Sequence, residues 1–107
     1  MSKFTDFVDS VFDENKLLER NALKKLILTS KNNTSDFVRL QAESFERWTI
    51  MLADGELTVA GYKKLVKKME ILTQIEEVRL TVGAKASAQR LASGIQEIVI
   101  KRLFSLI

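Results

Sequence analysis

An all-α fold, a small bundle of about four helices, follows from three observations on this 107-residue chain. Proline is absent and glycine occurs only four times, which leaves long helices unbroken and disfavours the punctuated turns of a β-sandwich. Apolar residues recur at steps of three and four through most of the length. The connections between these stripes are short and polar, as between antiparallel neighbours in a bundle. Helices are predicted near 3–30, 34–53, 58–82 and 84–106, within a single domain spanning 1–107.

The first helix is carried by Phe4, Phe7, Val8, Val11 and Phe12, the spacing of one helix face. The stripe stalls at Asp13-Glu14-Asn15-Lys16 and resumes with Leu18, Ala22 and Leu26, flanked by Leu17, Leu23 and Ile27. That pattern leaves open both a continuous helix and a break near Asn15. Ser30 to Ser35 is the clearest loop, with Asn33 or Thr34 placed to cap the second helix.

Phe37, Leu40, Phe45, Trp48 and Leu52 form the next apolar face. Ala53-Asp54-Gly55-Glu56 ends it, Gly55 supplying a left-handed C-cap. Thr58 is the expected N-cap of the third helix, Leu57 and Tyr62 its hydrophobic staple. Leu65, Met69, Leu72, Ile75, Val78 and Val82 continue that helix, and a turn is expected at Gly83. Small residues Ala84, Ala88 and Ala92 open the fourth helix, before Leu91, Ile95, Ile98 or Val99, and Leu103 supply its apolar face. No internal repeat and no low-complexity segment interrupts the pattern.

Composition narrows the function classes. Hydrophobic residues make up 46% and charged residues 29% of the chain, the balance of a folding globular protein. There is no Cys, which excludes disulfides, thiolate metal sites and cysteine nucleophiles, and which fits a cytoplasmic address. There is no His, so the commonest general base and zinc ligand are missing as well. Phe4, Asp6, Phe7 and Asp9 alternate where a secretory signal needs an unbroken apolar core, so no signal peptide is expected. Arg90, Glu97, Lys101 and Arg102 interrupt the most hydrophobic region, so no membrane span is expected either.

Catalytic motifs are equally scarce. No Ser sits in G-x-S-x-G and no glycine-rich phosphate loop occurs. Glu76 and Glu77 are adjacent and diverge by about 100° on a helix, so they form no shared-proton pair. Asp54-Gly55-Glu56-Leu57-Thr58 has the centre of a calcium loop, but alignment on Gly55 puts Ile50, Leu52 and Gly61 at positions that need oxygen ligands. The Ala53-Asp54-Gly55 turn is similar to one in tellurite-resistance B-type helical domains, although three residues explained by turn chemistry assign no family. Trp48 lies in phase with Phe45 and Leu52 as a core aromatic. Arg39, Glu43, Glu46 and Arg47 have the spacing of surface ion pairs.

Two surfaces stand out. Ile95, Ile98, Val99, Ile100, Leu103, Phe104, Leu106 and Ile107 place eight large apolar side chains in thirteen residues, more than one helix face points into its own domain. The surplus predicts a protein interface. Lys63, Lys64, Lys67 and Lys68 put four ammonium groups on one side of the third helix, a candidate anion-binding face. Residues 1–54 hold 8 basic and 9 acidic side chains, net −1, whereas 55–107 hold 9 and 5, net +4.

The expected protein is thus a non-catalytic helical interaction or assembly subunit, docking on further copies of itself or on a protein partner through its apolar C-terminal helix. The alternative is a nucleic-acid-binding or peripheral anionic-membrane-binding module that uses the lysine face. No enzyme activity, metal, cofactor or small-molecule substrate is expected.

Overall fold

Side-chain caps punctuate this chain where proline is lacking. The computed structural model describes residues 3–106 and contains helices α1 (Lys3–Val11), α2 (Leu17–Lys31), α3 (Asp36–Ala53), α4 (Val59–Glu76) and α5 (Val82–Gly94). After α1, Asp13 turns the chain by accepting a hydrogen bond from the Asn15 amide at 2.9 Å, and a single 3-10 turn, Glu14–Lys16, leads into α2. The stretch expected near 3–30 is therefore two helices. An acidic side chain bonding its own downstream amide competes with helix propagation at that point.

Ser35, not Asn33 or Thr34, caps α3, accepting from the Val38 amide at 3.4 Å. Asn33 acts one step earlier, its side-chain oxygen accepting from the Ser35 amide at 2.8 Å. Thr58 caps α4 as expected, at 3.0 Å from the Gly61 amide. Gly55 has φ +77°, the left-handed conformation its turn requires. The helix expected to reach residue 82 stops at Glu76, followed by a 3-10 turn, Glu77–Arg79. The corner falls at Leu80 and Thr81, because Thr81 caps α5 by accepting from the Ala84 amide at 3.2 Å. Gly83 consequently lies inside the first turn of α5 and makes no turn of its own.

Beyond Gly94 the rod widens into a π-helical segment, Ile95–Ile100, then tightens into a 3-10 turn, Leu103–Ser105. The Lys101 amide reaches five residues back to the Gln96 carbonyl at 3.1 Å. This change of pitch has a packing consequence. Leu91, Ile95, Val99 and Leu103 are all buried at steps of four, whereas a regular α-helix rotates such a series by about 40° per step and carries its end off the core. The wider turns keep Leu103 on the buried side.

Helix α3 is the hub, packing against α1, α2, α4 and α5. The core cluster draws Phe4 and Val8 from α1, Leu23 and Ile27 from α2, Ala42 and Phe45 from α3, Tyr62, Val66 and Met69 from α4, and Leu91 from α5. Helix α4 is peripheral: among the described residues, α3 is the helix that it packs along most closely. Its Tyr62 ring also meets Phe104 edge-to-face at 5.1 Å between centroids.

Three apolar stripes are rotated from their expected phase. In α2 the core takes Leu23 and Ile27, while Leu18 is 81% exposed. In α3 it takes Val38, Gln41, Ala42, Phe45 and Thr49, leaving Leu40 half exposed and Trp48 half buried against the Phe45 ring. In α4 it takes Tyr62, Val66, Met69 and Thr73. Each of these helices has apolar residues on more than one face, so the sequence alone offers two phases.

Candidate interaction surface

The C-terminal apolar residues are mostly consumed inside the chain. Ile95, Val99 and Leu103 are buried, and Ile98, Ile100 and Phe104 are half buried against the same core. Leu106 is exposed, and Ile107 lies outside the described residues. The expected surplus at this end is thus largely absent, because the π-helical turn directs one row of side chains inward.

The surplus sits on α4 instead. Ile71 is 55%, Ile75 59%, Val78 86% and Val82 89% exposed, with Leu72 beside them at the margin. At about 100° per residue, Lys64, Lys68, Ile71 and Ile75 fall within about 60° of one another, and about 160° round from Tyr62, Val66, Met69 and Thr73. One ridge along the outward side of α4 therefore begins cationic and becomes aliphatic toward Glu76. Val78 in the following 3-10 turn and Val82 at the start of α5 are exposed as well. The five aliphatic residues leave on the order of 500 Å² in solvent, at the upper end of what a monomer carries.

Lys63, Lys64, Lys67 and Lys68 are all exposed, as expected for one face. None of them forms an ion pair or hydrogen bond with another described residue. Of the carboxylates nearby, Glu70 accepts from Gln96 Nε2 at 2.6 Å and Glu77, just beyond the helix, accepts from Gln89 Nε2 at 3.1 Å, while half-buried Glu76 pairs with none of the four lysines. Glu70 thus faces the C-terminal segment and not the lysines. Some basic groups elsewhere are partnered, Lys24 with Asp9 at 2.9 Å and Lys31 with Glu46 at 3.0 Å. On this ridge exposed cations and exposed aliphatic side chains lie side by side, the lysines without an ion pair among the described residues.

The main clefts lie away from it. One of about 530 Å³ opens where the N-termini of α3 and α5 converge, lined by Ser35, Arg79, Thr81 and Ser87. Another of about 420 Å³ runs along Thr73, Gln74, Glu77, Gln89 and Ser93. Neither includes any of the four lysines, Ile71, Ile75 or Val78.

The most perturbed ionisable group is internal. Burial pushes the Tyr62 hydroxyl up to about 12, opposed by its hydrogen bond with Thr49. Thr49 Oγ1 donates to the Phe45 carbonyl at 2.7 Å, so Tyr62, 3.1 Å away, is the donor to Thr49. A sealed phenol of this kind is a structural group. No set of three or more carboxylates able to hold a metal ion occurs among the described residues. No helix among them is long and apolar enough to cross a membrane.

The ridge had a signal in the sequence. Met69, Ile71, Leu72, Ile75 and Val78 exceed what one face of a helix buries, the same test that drew attention to Ile95 to Ile107. Reading Leu65, Met69, Leu72, Ile75, Val78 and Val82 as one inward stripe concealed it. Comparison with protein-family models, curated proteins and solved structures found no match for this chain.

Proposed function

We propose that this protein is a non-catalytic helical interaction module that docks on a partner surface along the outward ridge of α4. The observation that carries this reading is the run of exposed aliphatic residues Ile71, Ile75, Val78 and Val82 that follows four lysines without a partner among the described residues. Solvent contact of so much aliphatic surface is unfavourable by roughly 25 cal/mol per Å², and docking removes that contact. The supporting context is chemical: without His or Cys the chain lacks the side chains most often used as catalytic bases and nucleophiles. The C-terminal segment contributes to docking only through residues that stay partly accessible, Ile98, Ile100, Phe104 and Leu106.

Thiol protection tests this reading, since the chain has no cysteine of its own. Single variants Ile75→Cys, Val78→Cys and, as a control on α2, Leu28→Cys are alkylated in permeabilised cells and as purified proteins. Labelling of the two ridge positions slowed severalfold in cells, with Leu28→Cys unchanged, is the expected result. Equal labelling of all three in both settings overturns the docking role.

A further inference from the structure

We infer that the surface which occupies the α4 ridge is an anionic lipid bilayer, an inference that rests on the docking reading above and names its partner. Charge complementarity is the first argument. The outward face of α4 presents Lys63, Lys64, Lys67 and Lys68 without an ion pair to any described residue: Glu70 and Glu77 are held by Gln96 and Gln89, and Glu76 pairs with none of them. A second copy of the chain would meet this face with the same four cations and offer no compensating charge from the ridge itself. An anionic head-group layer satisfies all four at once.

Shape supplies the second argument. The ridge lines none of the clefts described above, and its most exposed side chains, Val78 and Val82, are short aliphatics at 86% and 89% exposure. A folded partner needs a complementary groove for such a ridge, whereas the fluid boundary between head groups and acyl chains accepts protruding side chains without a preformed pocket. An amphipathic helix lying in that boundary buries its apolar face about 5–10 Å deep. With α4 parallel to the surface, Ile71, Ile75 and Val78 insert. The lysine stems lie along the interface and carry their ammonium groups up to the phosphates. Nucleic acid would engage the lysines alone and leave the aliphatic half of the ridge in water.

The third argument is orientation. The chain's basic excess belongs to residues 55–107, net +4 against −1 for 1–54. An anionic surface therefore interacts most favourably with residues 55–107, which carry the α4 lysines.

Binding of the purified protein to vesicles of phosphatidylcholine, with and without phosphatidylglycerol, tests the inference at low and high salt. The wild type is expected to bind only the phosphatidylglycerol vesicles, and more weakly as salt rises. Each lysine near an anionic surface multiplies partitioning about fivefold, so Lys64→Gln with Lys68→Gln lowers it about thirtyfold. Ile75→Ser with Val78→Ser lowers it at least tenfold, while Lys25→Gln with Leu28→Ser on α2 leaves it unchanged. Unaltered circular dichroism shows that each variant is folded. Failure to bind phosphatidylglycerol vesicles at low salt, or binding indifferent to the ridge variants, overturns the inference. So does a dimer seen by light scattering that Ile75→Ser with Val78→Ser dissolves, which assigns the ridge to a second copy. Thiol protection in cells without vesicle binding overturns the lipid partner and leaves docking intact, whereas loss of both overturns both.

Discussion

Tyr62 allows a quantitative check of how well the core is closed. The hydroxyl is fully buried, donates to Thr49 Oγ1 at 3.1 Å, and has its acidity pushed from 10.0 to about 12. Replacement by Phe keeps the ring contact with Phe104 and removes one neutral hydrogen bond, which costs about 0.5–1.5 kcal/mol near neutral pH. The folded-state value is raised, so the unfolded chain loses its proton first. Stability linked to this group is fully present below pH 10 and declines as pH rises toward 12. At pH 11 the two proton-binding curves differ by about one proton-unit of pH, equivalent to about 1.4 kcal/mol. Tyr62→Phe escapes that loss. Lysine titration acts on both proteins alike and cancels in their difference. Urea unfolding followed by Trp48 fluorescence at pH 7, 9, 10 and 11 is therefore expected to show the variant less stable at neutral pH and level with, or above, the wild type at pH 11. Parallel curves across that range would refute the reasoning and show that solvent reaches the phenol.

Two contrasts test the remaining assignments. Leu103→Ala, at a position with no exposure, is expected to cost 2–5 kcal/mol in urea unfolding. Ile75→Ala, at a position 59% exposed, is expected to stay within about 0.5 kcal/mol, and the reverse order would show that the C-terminal turn and the ridge have exchanged roles. Gly55→Ala places a side chain at φ +77° with no atom nearby to obstruct it, so its cost is backbone strain alone, about 1 kcal/mol. An unchanged midpoint would mean that the turn relaxes to another conformation.

The helical class was legible because it depends on local quantities. The absence of proline, the caps Thr58 and Gly55, and the three-and-four spacing of Phe4, Phe7, Val8, Val11 and Phe12 all act within a few residues of themselves. Thr81 was legible in the same sense, since a threonine before a run of small residues is a cap signal, but Gly83 two residues later drew attention from it. The break after Phe12 was half legible: Asp13 marked the place, while the choice between a kink and two helices depended on how α1 and α2 each pack against α3.

Which face of each helix turns inward could not be read in the same way. α4 carries two apolar rows, and helix geometry treats Tyr62, Val66 and Met69 as equal in quality to Leu65, Leu72 and Ile75. Only neighbours break the tie: α3 offers Gln41 as a hydrogen-bond donor to Thr73 at 2.8 Å, and the C-terminal segment offers the Phe104 ring to Tyr62. Those contacts commit one row to the core and leave Ile71, Ile75 and Val78 outside. The same dependence misplaced the C-terminal surplus, because a π-helical turn re-aims Leu103 and no residue spacing announces it. The sequence by itself determined that the protein is helical, where most of its turns lie, and that it holds more apolar surface than one helix face can bury. The tertiary structure alone decided where that excess is exposed, since burial is a property of pairs of surfaces and a single stripe records only one of them.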